Sequence, residues 1–226
     1  MKQHYIDLSH TLHDGLVSFQ GLPATAICDY WTREDSAARY DDGSSFHIAR
    51  IDMVGNAGTY VDVPFHRYAD GQDLSGQPLD SLAHLPAVVV SANGEEVKAI
   101  DAAFFYGLEL EGRAVLVHTG WDQHWQTDRY HSEHPFLTAD AAEYLVAQQV
   151  ALVGIDAYNI DDTRGRQRPV HSILLGAGIP IVEHLRGLEQ IPDRSIYFSA
   201  VPPRVQGMGS FPVRAFVQWT EQWLGF

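Results

Sequence analysis

Apolar and polar positions alternate along Tyr5–Leu8 and again along Phe46–Val54, and that two-residue period predicts a strand in each place. In the second, Phe46 and Ile48 share one phase, and Ile51 and Met53 resume it after a slip. Ala87–Val90 and Ala114–His118 are short β-branched runs with the pattern of buried strands. Ile179–Val182, Ile196–Ala200 and Val213–Trp219 extend the same inventory. The period changes at Thr138–Gln149, where Ala141, Ala142, Leu145, Val146 and Val150 form one helical stripe. Thr138 is placed to cap that helix, and Asp140 and Glu143 lie near its positive end. A strand over Val150–Ile155 follows at once, as in a layered α/β domain. Asp101–Tyr106 reads as a short helix with Asp101 as its N-cap. Ser9–Pro23, Arg67–Pro78 and Asn159–Arg168 carry loop chemistry, and residues 29–45 are polar and charged, ending in the strong turn signal Asp41-Asp42-Gly43-Ser44-Ser45.

One stretch departs from these patterns. From Asn56 to His66, the even positions carry an amide, a phenol, a carboxylate and an imidazole: Asn56, Tyr60, Asp62 and His66. Alternate residues of an extended segment share a face, so these groups are expected to converge. Gly58 and Pro64 have the same parity and point to an edge or bulged strand running into a loop. A solvated strand is the plain alternative. A second polar pair, His171 and Glu183, flanks the apolar runs Ile173-Leu174-Leu175 and Ile179-Pro180-Ile181-Val182, where charge is costly unless paired or ligated. Spacing alone leaves a buried His–Glu hydrogen bond and a metal site both open.

Composition narrows the function classes. The chain has 226 residues, 45% of them hydrophobic, and fits one α/β domain over 1–226 without repeats or linkers. A formal charge of −14 disfavours nucleic acid and anionic membranes as partners. The single Cys28, the lack of an apolar leader and the lack of a membrane-length apolar run lead to the expectation of a cytoplasmic protein.

The segment Gly58-Thr59-Tyr60-Val61-Asp62-Val63-Pro64-Phe65-His66 resembles the signature H-x-G-T-H-x-D-x-P-x-H of the cyclase, or bacterial kynurenine formamidase, family, which also includes isatin hydrolase. Further landmarks run in the same order: Asp7-Leu8-Ser9, Thr119-Gly120-Trp121, Val153-Gly154-Ile155-Asp156, His171 through Glu183, and Pro212-Val213-Arg214-Ala215. The resemblance implies a layered β/β/α domain of the swivelling type with mixed sheets, assembling as a homodimer or homotetramer. The aromatic-rich Trp121–Phe136 is the expected subunit contact.

By the same resemblance Asp62, His171 and Glu183 are metal ligands, His66 is the proton donor and acceptor, and Phe19 contacts substrate. Asn56 and Tyr60 stand where the family has two imidazoles. A phenol ionising near pH 10 is a poor ligand, so one divalent metal is expected, with zinc, manganese or iron all admissible. Tyr60 is then expected to act catalytically as a donor to an oxyanion, and Asn56 to bind substrate. The expected reaction is hydrolysis of an amide, lactam or lactone in a small, aromatic-type substrate. A metal-dependent lyase, dehydratase or isomerase, and a non-catalytic small-molecule binder, are the rivals. His118, His124, His131 and His134, together with His10 and His13, are candidates to replace a lost imidazole or to touch substrate. Arg67, Arg164, Arg166 and Arg168 are candidates to pair with a substrate carboxylate.

Overall fold

Along Ala114–His118 successive side chains enter opposite apolar clusters, Val115 and Val117 on one side and Ala114 and Leu116 on the other. Every residue of this strand is buried, as a β-branched run without polar alternation requires of a sheet covered on both faces. The computed structural model describes residues 2–94 and 96–221; of the expected domain span 1–226, Met1, Glu95 and 222–226 lie outside the described residues.

In chain order the strands are β1 (Lys2–Asp7), β2 (Ala26–Trp31), β3 (Ile48–Asp52), β4 (Tyr60–Asp62), β5 (Leu85–Ser91), β6 (Ala99–Ile100) and β7 (Ala114–His118), followed by β8 (Phe136–Leu137), β9 (Leu152–Ile155), β10 (Ile181–Glu183), β11 (Ile196–Ser199), β12 (Ser210–Pro212) and β13 (Phe216–Glu221). The helices are α1 (Arg33–Ala37), α2 (Ala139–Ala147) and α3 (Pro169–Gly176). Among the described residues, nine strands form one sheet in the order β1-β13-β11-β5-β7-β9-β10-β4-β12. Its centre, β5-β7-β9-β10, is parallel and its flanks are antiparallel. The α/β class and the mixed sheet expected from the sequence are those observed. Two ribbons, β2-β3 and β6-β8, stand apart from this sheet.

The helix expected at Thr138–Gln149 is α2, with Ala141, Ala142 and Leu145 buried as its stripe requires. Thr138 occupies the N-cap position, but its hydroxyl donates to the Ile100 carbonyl and caps nothing. Asp101 does cap its short 3-10 turn, accepting from Ala103 N at 3.0 Å. Residues 29–45, polar and charged in the sequence, contain the end of β2 and all of α1. The latter has a capping box between Thr32 and Asp35 but is too short to show a stripe.

The strand at the Asn56–His66 segment is not an edge. β4 is paired on both sides, with β10 and with β12, so Gly58 and Pro64 bracket a short interior strand. Gly58 has φ +63°, and Pro64 opens the 3-10 turn Pro64–His66 where its missing N–H costs nothing. Val61 enters one core while Tyr60 and Asp62 face the other side of the sheet. Val182 and Glu183 on β10 divide in the same way, with Ile181 and Glu183 on the side that carries α2 and α3. Among the described residues no helix is long and apolar enough to cross a membrane.

Candidate metal centre

Strand register builds the site. In β4–β10, Tyr60 lies opposite Glu183; in β4–β12, Ser210 lies opposite Asp62. Directly opposed residues on one face are the closest cross-strand pairs, and both pairs are hydrogen-bonded: the Tyr60 hydroxyl donates to Glu183 Oε2 and the Ser210 hydroxyl to Asp62 Oδ1. α3 brings the third component over that face. Its buried side holds Val170, His171, Leu174 and Leu175, and its first residue is Pro169.

Asp161 aims the imidazole. One of its oxygens accepts Val170 N (2.8 Å); the other accepts His171 N (3.0 Å) and faces His171 Nδ1 at 2.7 Å. A carboxylate at a helix N-terminus is favoured there, and it holds Nδ1 protonated, leaving Nε2 as the nitrogen a cation would take. His171 Nε2 then points at the two carboxylates, 3.5 Å from Asp62 Oδ2 and 3.7 Å from Glu183 Oε1. The three residues named from the sequence as ligands are therefore brought together, each buried.

Their oxygens are not equivalent. Glu183 accepts both from Tyr60 and from Ile160 N at 2.6 Å. Asp62 Oδ1 is engaged by Ser210 and, at 3.4 Å, by the Asn56 amide, whereas Asp62 Oδ2 is buried without a hydrogen-bond partner among the described residues. A buried orphan carboxylate oxygen beside the free nitrogen of an imidazole is what a cation would complete. The residues therefore fit a divalent metal, and Asp62, His66 and His171 can each offer one atom within 4.8 Å of the others.

Without a metal, protons must balance the charge. Burial disfavours a charged His171, but the charge of Glu183, the Asp161 hydrogen bond and the nearby Asp62 overcome it and raise its pKa to about 10. Burial raises Glu183 to about 7 against the pull of His171. Burial, then the charges of Glu183 and Asp62, push Tyr60 well above its usual range. Tyr60 is thus a neutral phenol whose one hydrogen goes to Glu183. Donation to an oxyanion, the role expected of it, would require this hydrogen to leave Glu183. Asn56, the residue expected to bind substrate, is half-buried and turns its amide to Asp62 Oδ1 at 3.4 Å.

His66 is the site's link to solvent, exposed where Asp62, His171 and Glu183 are not. Its Nδ1 lies 2.8 Å from Ser210 Oγ and 3.5 Å from Asp62 Oδ1. Because the single Ser210 hydrogen goes to Asp62, the serine oxygen must accept from His66 Nδ1–H, and Nε2 is left as the basic nitrogen. Gly209 allows this approach, since a Cβ there would overlap the backbone N and Cα of His66. Gly209→Ala is expected to displace His66 and lower turnover by about 100-fold with metal content unchanged, as steady-state kinetics beside elemental analysis would show.

Phe19 sits next to the centre, its ring 6.2 Å from Tyr60, 4.8 Å from Tyr158 and 5.1 Å from His184. His184, unnoticed in the sequence, is fully buried and spans two carbonyls, Gly58 O at 3.0 Å and Tyr158 O at 2.8 Å. It ties the loop before β4 to the loop before α3. Asp161 and Ser210 were also missed. Asp161 had a signal, a carboxylate ten positions before a His in an apolar run; Ser210 had none.

The expected histidine substitutes do not join the centre. His131 packs on Tyr158, His134 bonds Thr163 Oγ1 at 2.9 Å, and neither His118 nor His124 belongs to the metal-capable group. Trp121–Phe136, the expected subunit contact, buries part of its aromatic content and exposes much of its polar content, Gln126–Arg129 included. Trp121 and Tyr130 are buried, and Trp125 stacks on His10 at 3.9 Å. The arginines also have local duties: Arg67 bonds Ser172, Arg164 pairs with Asp162, and Arg168 bonds three backbone carbonyls.

Burial, then the charges of His184 and Arg186, lower His10 from 6.5 to about 3, and its Nε2 has no partner among the described residues. Between those values the unfolded chain binds a proton that the folded one refuses. Stability is therefore full above the unfolded pKa and falls with pH, by up to about 1.4 kcal/mol per pH unit for one group. His10→Phe, which keeps the stack on Trp125, is expected to flatten the acid limb of a urea-midpoint profile. An unchanged profile would show that His10 titrates freely.

Residues 6–162 match the family model described as putative cyclase. A kynurenine formamidase of Erythrobacter litoralis (strain HTCC2594) is 29% identical over 199 residues, covering 88% of this chain and 86% of that protein. One from Bacillus cereus (strain ATCC 14579) is 24% identical over 215 residues, covering 95% and 97%. Among solved structures, a potential metal-dependent hydrolase with cyclase activity superposes with a TM-score of 0.78 at 26% identity, over 98% of this chain and 100% of that one. Isatin hydrolase A from Labrenzia aggregata gives 0.82 at 20% identity over 97% and 94%, a likeness of fold.

Proposed function

The chain belongs to the putative cyclase family, and on that premise we propose that it is a metal-dependent hydrolase that opens an amide, lactam or lactone bond in a small substrate. The observation that carries this reading is the buried, unpartnered Asp62 Oδ2 facing His171 Nε2 at 3.5 Å, with Glu183 beside them. The relatives named kynurenine formamidase, and the 26%-identical structure named as a potential metal-dependent hydrolase, support the amide-hydrolase class.

Asp62 and His171 would hold the cation, with Glu183 and His66 the further donors within reach. A divalent metal supplies Lewis-acid polarisation of a carbonyl and acidification of water. The chain's own groups handle the protons. His66 Nε2, the nitrogen left basic by the Ser210 contact, accepts a proton from the attacking water and returns it to the departing nitrogen or oxygen. Ser210, itself held by Asp62, keeps the ring in that tautomer. Tyr60 and Ile160 N fix Glu183 in place. Phe19 and Tyr158 offer aromatic surface next to the centre, which suits an aromatic substrate.

The test is metal content of the purified protein, followed by a screen of formanilides, lactams and lactones with and without chelator. Chelator-sensitive hydrolysis that incorporates ¹⁸O from labelled water into the new acid supports the proposal. Protein that holds no divalent metal and whose melting temperature ignores chelator overturns it.

A further inference from the structure

Away from the metal centre, a cavity of about 380 Å³ opens between Asn93, Gly94, Val97 and Lys98, the turn after β7 and the segment around Arg129. Its lining is unusual for this chain. The sequence has 29 acidic residues against 15 Lys and Arg, yet among the described residues the cavity is lined by Lys98, Arg129 and His124 and by no carboxylate. All three basic groups gather on one indole. Lys98 Nζ is 4.6 Å and Arg129 Cζ 5.4 Å from the Trp121 ring centroid, and the His124 ring lies at 4.7 Å.

That indole is a rigid floor. Trp121 is buried, its Nε1–H donates to Tyr130 O at 3.0 Å, and its backbone N–H donates to Thr119 Oγ1 at 3.2 Å. The preceding turn is anchored in turn by Asp156, which accepts Thr119 N and Gly120 N, each at 2.8 Å.

The cations are short of acceptors. Among the described residues neither Lys98 nor Arg129 has an ion pair. Lys98 gives one hydrogen to the Glu133 carbonyl at 2.5 Å and keeps two, while the Arg129 guanidinium has no hydrogen bond to any described residue. The ring's π face offsets part of their mutual repulsion. For His124, burial and then the charges of Arg129 and Lys98 lower its pKa, against the opposing charge of Asp122.

We propose that this cavity is a binding site for a small oxyanion, a carboxylate or phosphate group held between Lys98 Nζ and the Arg129 guanidinium over Trp121. An oxyanion supplies the acceptors both side chains lack, and a guanidinium fork matches it in shape. The site is independent of the hydrolase reading, because none of the metal-centre residues lines it.

Calorimetric titration of the full chain at low ionic strength, with inorganic phosphate in one arm and acetate in the other, tests the proposal. Each probe is run on the wild type, on Asp62→Asn, on Lys98→Arg, and on the Lys98→Gln/Arg129→Gln pair. Binding is expected to survive Asp62→Asn, to weaken about tenfold or more in the double variant, and to be kept in Lys98→Arg. The His124 ring resonances should shift with the anion in wild type and stay still in the double variant. Phosphate alone, acetate alone or both meeting this pattern identifies the group recognised. Binding by neither anion, or equal binding by the double variant, overturns it.

Discussion

Asp62→Asn is expected to yield folded protein that retains no divalent metal and shows no measurable turnover. The amide has the volume of the carboxylate and can still accept at Oδ1 from Ser210, so the β4–β12 pairing survives. What is removed is the charge on the oxygen that has no hydrogen-bond partner among the described residues. His171 Nε2 and Glu183 remain, but Glu183 already satisfies Tyr60 and Ile160 N. Loss of an outer partner of a metal ligand lowers metal affinity by about 10- to 100-fold, and loss of the charged donor itself must exceed that. Elemental analysis after gel filtration reads the outcome directly. Wild-type metal stoichiometry in Asp62→Asn would remove the basis of the proposed chemistry.

His66→Ala has the second-largest expected effect, and its value lies in the contrast. His66 is the solvent-reaching member of the cluster, and Ser210 leaves its Nε2 free to take a proton. Turnover should fall by about 100- to 10,000-fold, the range for losing a positioned general acid–base, with metal content close to wild type. The same residue lies within ligand distance of Asp62 and His171, so metal lost together with activity would assign it as a ligand instead. Gly209→Ala separates these outcomes further, because it moves the His66 backbone without removing any donor.

Much of the fold was legible because it rests on local regularities. The runs at 87–90 and 114–118 are β-branched and became the parallel centre of the sheet. The stripe at 138–149 became α2, since one face of a helix shows its burial at fixed spacing. The short elements were not legible. α1 and β2 have no buried stripe or clean alternation, and β4 is three residues long between a glycine and a proline, so its interior position rests on partners far away in sequence.

For the site, His171 and Glu183 stood out because charge among apolar runs carries a desolvation cost that a plain core would not bear, while Asp62 and His66 were named through the family resemblance. The order of residues was sufficient to establish that such groups exist and which residue types replaced the missing imidazoles. What each of them faces was settled by folding. Tyr60 was assigned to Glu183 by strand register, Ser210 to Asp62 by a pairing 148 positions apart, and His171 to both carboxylates by the Asp161 bond that sets its ring. The reason is that hydrogen-bond partners are fixed by register and helix placement, which follow from packing over the whole chain and leave no mark in the local run of residues.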